Sequence, residues 1–260
     1  MERTGSNGDA CAGVKGSWAR SCGSSEVLSW ASCSASGWPP AERPERKAAC
    51  YRPPMTARTL RLYIDYKSPY AYLAKDPAYE LAAKTGVAID WLPYILDIPA
   101  YLGSARVDGE GRVLEENRNA HQWRRVKYSY MDVRREANRA GLTIRGTQKI
   151  WDSSLAGIGL LFAKKHGVFR AWNDEVFERF WKRELDIENP VALKEVLQRA
   201  GADIATFDAF LAGEGRQELK TVQEDAERRG VFGVPSFLLP EGDLYWGREH
   251  FGRLREMLAA

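Results

Sequence analysis

The stretch Leu60–Leu73, LRLYIDYKSPYAYL, constrains this chain more than any other. Leu62 and Ile64 alternate with polar or half-exposed positions, the period of a strand. Asp65 to Lys67 turn the corner. Pro69 suits the first position of a helix, where its missing N–H leaves no bond unmade. Ser68 then falls at the N-cap, its hydroxyl beside the positive end of the helix. Taken alone, a Ser-Pro step is only a cap.

The far end of the chain changes its meaning. Val231–Gly247 reads VFGVPSFLLPEGDLYWG: a Val-Pro step entering a short apolar strand, then a turn, then a second strand. A proline inside a strand demotes it, unless the bond is cis and the proline is placed for that purpose. A strand–Ser–helix unit at one end, with two strands and a terminal helix at the other, makes the expected fold α/β. It is a thioredoxin-like core in the order βαβ, then ββα.

Between these ends, Tyr70–Lys84 is spaced as a helix, and Gly86 stops it. Val87–Tyr94 reads as a second strand, which a right-handed crossover sets parallel to the first. Ile95–Glu116 reads as loop, and Asn119–Ala140 as a charged helix. After an irregular segment at Leu142–Ile150, helices are expected near Ser153–His166, Ala171–Glu184, Pro190–Ala200, Ile204–Leu211 and Arg216–Arg229. The result is a large all-helical insertion over about 115–229, roofing the cleft beside Ser68. Because the sheet needs residues from both sides of the insertion, 55–260 is expected to be one domain.

Residues 1–54 differ. They are rich in Ser, Gly and Ala, lack periodicity and end in PPAERPERK. They read as a disordered leader, with Met55 standing where a compact protein would begin. A signal peptide needs a charged start and an apolar core, and Glu2, Asp9 and Glu26 argue against a transit peptide. The expected location is therefore cytoplasmic. Cys11, Cys22, Cys33 and Cys50 all lie in this leader, and no two have C-x-x-C spacing, so neither a zinc ribbon nor a dithiol redox motif is available. A net charge of +3 without a basic run gives no reason to expect nucleic acid. No apolar run approaches the roughly 18 residues of a membrane span. His121, His166 and His250 do not share metal-ligand spacing with Cys or carboxylates, and no metal is expected.

In a thioredoxin-like core the segment after the first strand normally carries a reactive cysteine, and here that place is taken by Ser68. A serine is a poor nucleophile without an adjacent base. Its better use is to donate a hydrogen bond to another molecule's thiolate, with the helix N-terminus favouring the same negative charge. Such a site calls for a thiol cofactor, and glutathione is the natural one.

The segments DYKSPYAYLA (Asp65–Ala74), GVFGVPSF (Gly230–Phe237) and YWGREH (Tyr245–His250) together resemble the 2-hydroxychromene-2-carboxylate isomerases and kappa-class glutathione transferases, over about 59–260. The resemblance implies that Ser68 activates glutathione. It implies that the main chain of Val234, ahead of a cis Pro235, pairs with the cysteinyl part of the tripeptide as an added strand does. Glu249 stands where the family's Asp receives the γ-glutamyl ammonium. Arg248 beside it replaces the usual Ser or Gln. Lys127, in the K-x-x-Y-M arrangement of Lys127–Met131, would orient an anionic carboxylate with neighbours such as Arg124. The family's upstream Asn has no counterpart, since Asn117 and Asn119 are not at the matching distance. The implied activity is glutathione-dependent isomerisation of an aromatic-derived unsaturated carboxylate, a small-molecule substrate, in an enzyme that is a homodimer in many relatives. A kappa-like transferase or peroxidase is an alternative. So is a non-catalytic module that takes a peptide at the Val234–Pro235 edge. Disulfide exchange is disfavoured by the missing C-x-x-C.

Overall fold

The computed structural model describes residues 59–259. The leader expected at 1–54 and all four cysteines lie outside the described residues. The core sheet has the order β2-β1-β5-β6, with β1 (Thr59–Ile64) parallel to β2 (Ala88–Pro93). β5 (Ser236–Leu238) runs antiparallel to both β1 and β6 (Leu244–Trp246). Strand β1 is therefore central, bonded to an element from each side of the insertion. Leu60, Leu62 and Ile64 are buried on one face of it. Arg61, on the other face, bonds Asp225 at 3.0 Å, as the period of two requires.

Helix α1 (Pro69–Thr85) starts where expected. The Ser68 hydroxyl accepts from the Ala71 N–H at 3.3 Å, and Gly86 closes the helix in the left-handed region. A crossover through α1 returns the chain as β2, parallel to β1. The segment expected as loop instead folds into a short helix α2 (Ile98–Leu102) and an antiparallel hairpin of β3 (Ser104–Val107) and β4 (Val113–Asn117). Every residue of β4 is exposed. With no buried face there is no alternation for a sequence to display.

The insertion continues as α3 (Ala120–Arg139), α4 (Ser154–Lys165), α5 (Phe169–Trp181), α6 (Pro190–Ala200), α7 (Phe207–Ala212) and α8 (Glu214–Arg228), and α9 (Phe251–Ala259) ends the fold. Most boundaries fall within a few residues of expectation. Helix α5 stops earlier than expected, and Arg183 beyond it adopts a left-handed φ of 61°. Helix α7 starts later, because the Asp203 carboxylate takes the Ala205 N–H at 3.0 Å and holds the preceding residues in a turn. Among the described residues no helix is long and apolar enough to cross a membrane.

Two features lock the insertion to the strand–serine–helix unit. A side chain at Gly159 of α4 would lie 2.3 Å from the ring of Trp172, so α4 and α5 meet at the closest distance that backbone and indole permit. Trp172 then donates to the Tyr66 hydroxyl at 3.0 Å, which donates to Asn173 at 3.0 Å, and Asn173 donates to Tyr79 at 2.7 Å. This buried chain fastens α5 to the corner that carries Ser68.

Candidate functional site

A cavity of about 580 Å³ opens beside Ser68. The β1–α1 corner contributes Lys67, Ser68, Pro69 and Tyr70, and the segment before β5 contributes Phe232, Gly233 and Val234. Helix α2 and the start of α3 form one wall, and the irregular segment Thr147–Trp151 forms another.

Ser68 is 5% exposed. Its oxygen already accepts the Ala71 N–H, and among the described residues its own proton has no acceptor. It is thus a donor turned toward the cavity at the N-terminus of α1. Across from it, the Val234–Pro235 bond is cis. Neither the N–H nor the C=O of Val234 is bonded within the described residues, although the residue is buried. Unpaired buried backbone groups are rare and invite a partner. The approach to Val234 is tight: a side chain at Gly233 would come within 2.6 Å of the Trp246 indole nitrogen, and Ser236 donates to the Gly233 carbonyl at 2.7 Å.

The charge on the lining is one-sided. Lys67, Arg118, Arg125 and Lys149 line the cavity, and no Asp or Glu does. Lys67 pairs with Asp65 at 3.4 Å, and Lys149 with Glu188. Arg118 donates to the Gly103 carbonyl at 3.4 Å, stacks over Trp123 at 5.0 Å and is lowered from its usual pKa by burial. Arg125 has no hydrogen-bond or ion-pair partner among the described residues. The rest is largely apolar and aromatic. Burial first, then the bond donated to Asp132, pushes the Tyr70 phenol up to about 12. Tyr101 is 42% exposed, and partial desolvation of its phenol against the cavity wall pushes it up to about 12. At the mouth Phe232 and Trp246 lie 4.9 Å apart and are 62% and 50% exposed.

Of the residues singled out in the sequence, Ser68 and Val234 meet at this cavity, with Pro235 next to Val234. Three do not. Lys127 is exposed on α3, with Arg124, and neither lines the cavity; the helix contributes Val126, Ser129, Tyr130 and Arg125, itself exposed at the cavity's edge, instead. One residue along a helix is a rotation of about 100°, enough to move Lys127 off the face. Arg248 is held by Glu136 at 2.8 Å. Glu249 is exposed, its carboxylate filling the space a side chain at Gly247 would take. Neither lines the cavity. The cations that do line it, Lys67, Arg118, Arg125 and Lys149, were not singled out. Only Lys67 had a signal, as a charge beside Ser68 in the strand–helix corner.

The comparisons agree with this architecture. A 2-hydroxychromene-2-carboxylate isomerase from Sphingobium xenophagum is 26% identical over 206 residues, covering 77% of this chain and 98% of the relative. The structure of an HCCA isomerase superposes with a TM-score of 0.59 at 22% identity, covering 77% of this chain and 94% of the other. The cytosolic disulfide reductase DsbM from Pseudomonas aeruginosa, solved with GSH, gives 0.54 at 18% identity, covering 77% and 96%. The DSBA-like thioredoxin domain model matches residues 59–259. With the sheet order, the cis-proline segment and the helical insertion all in place, the chain belongs to the DSBA-like thioredoxin domain family.

Proposed function

We propose that this chain is a glutathione-dependent isomerase acting on an aromatic-derived unsaturated carboxylate. The observation that carries the reading is the pairing of an unengaged Ser68 donor with the unbonded main chain of Val234, across a cavity whose charged groups are all cationic. The residues fit glutathione. Val234 offers one N–H and one C=O to an extended tripeptide, in the manner of strand addition. The cationic lining suits its carboxylates, and about 580 Å³ leaves room for a second small molecule. When bound, glutathione supplies a sulfur nucleophile that adds reversibly across a conjugated double bond and so frees it to rotate.

The protein's own tasks follow from the lining. Ser68 donates its proton at the position of the sulfur, and the N-terminus of α1 adds a favourable field there. Arg118 and Arg125, neither engaged by an acid, hold a carboxylate by charge-assisted bonds. They take the task first expected of Lys127 and Arg124. Tyr101 and Trp151 supply flat apolar surface for an aromatic ring and exclude water. Residues 51–260 contain no cysteine, which leaves the sulfur to be brought in.

The test is isomerisation of 2-hydroxychromene-2-carboxylate by purified protein with and without glutathione, beside aryl-halide and enone electrophiles. Turnover of the chromene only with glutathione supports the reading. Turnover of the electrophiles alone would favour a transferase. A protein that binds no glutathione but captures peptides through the exposed Phe232–Trp246 pair would be a binding module instead.

A further inference from the structure

Lys67 has no task in the reading above, yet it is the most enclosed charge on the cavity wall, its side chain 5% exposed. Its partner Asp65 is sealed behind it. One Asp65 oxygen accepts the Lys67 N–H at 3.2 Å, the other accepts the Leu96 N–H at 2.8 Å, and the carboxylate does not line the cavity. The pair is therefore asymmetric, with its anion pinned in the wall by two backbone donors and Lys67, not Asp65, on the cavity lining. The corner does not need the ammonium to hold its shape, because the Ser68 N–H bonds the Asp65 carbonyl at 2.9 Å and Asp65 braces both flanks. A buried ion pair is weak evidence for stability, so its presence at this point calls for another reason.

We infer that Lys67 stabilises a thiolate at the Ser68 corner of the cavity, its ammonium lowering the pKa of the bound thiol. This rests on the glutathione reading. The step is an ionisation: the S–H bond breaks, its electron pair stays on sulfur and the proton leaves to solvent. The charged and titratable groups around Lys67 are Asp65 on its own turn, Asp152 ahead of α4, Tyr101 on α2 and Lys149 on the opposite wall, with Arg118 and Arg125 further along. The two carboxylates oppose the effect and the three cations reinforce it. Charge interactions in an enclosed site exceed those in water, and for a cation partly offset by its own partner a shift of about one pKa unit is expected.

The experiment titrates the thiolate absorbance of glutathione bound to wild-type protein, Lys67→Met and Lys67→Arg, with binding followed by calorimetry. Lys67→Met should bind glutathione and raise its thiol pKa by about one unit, and Lys67→Arg should restore the wild-type value. A packing role would not move the titration. Should Lys67→Met fail to fold, Lys67→Gln removes the charge while keeping a donor for Asp65 and should show the same rise. Superimposable titrations in wild type and either charge-removed variant, with binding intact, overturn the inference alone. Absence of glutathione binding to the wild-type protein overturns the cofactor reading and the inference with it.

Discussion

At the scale of single residues, Ser68 carries two duties that substitution should separate. Ser68→Ala loses the cap bond to Ala71, a cost of about 1 kcal/mol in stability, visible as a lower urea midpoint. It also loses the donor proposed for the glutathione sulfur, and kcat/KM should fall by about a hundredfold, as when one preorganised donor to a developing anion is removed. The cap was legible in the sequence because capping is local. The proposed carboxylate grip was not. Lys127 and Arg125 are two residues apart on α3, and which of them faces the cavity depends on the burial of Val126, Val133 and Ala137 against the core. Arg125→Gln should therefore raise KM for an anionic substrate about tenfold, in line with the loss of one charge-assisted bond. Lys127→Gln should leave kcat and KM at wild-type values. Steady-state kinetics on the two variants decide between the positions.

At the scale of elements, the insertion depends on contacts with no local signature. Asn173 sits fully buried between Tyr66 and Tyr79. Asn173→Ala strands two hydroxyl partners, which at roughly 1–3 kcal/mol for each unsatisfied buried group should lower unfolding free energy by about 3 kcal/mol in urea titrations. Because the chain of bonds passes through Tyr66 at the corner before Ser68, activity should fall more steeply on warming than in wild type. The strands and the longer helices were readable, since each buries one face and keeps the matching period. The β3–β4 hairpin and α2 were not, because nothing in them is consistently buried.

For the whole molecule, pH should act from both sides. Glu136 is held below the usual carboxylate range first by its bond from Arg248, and Asp225 first by its bond from Arg229. Groups so depressed contribute stability that is present above about pH 4 and is lost as pH falls through their folded values. Tyr70 is raised to about 12, and Tyr66 well above its usual value, both first by burial. Their contribution is complete below about pH 10 and is lost as pH rises toward and past 12. Thermal melts should give a plateau between these limits, with an alkaline decline coincident with tyrosinate absorbance. A melting temperature that held steady through the tyrosine titration would contradict the burial of these phenols.

The sequence by itself determined the core order, the capped serine, the proline leading into β5 and the stretch of chain between them that is helical. Each of those is written in a short window, by periodicity, a cap or a turn. Only the tertiary structure decided which cations reach the cavity. Rotation of α3, the path of residues 142–153 and the engagement of Arg248 by Glu136 follow from packing between segments far apart in the chain. A side chain's address in space is the sum of those long-range contacts, and no local pattern encodes it.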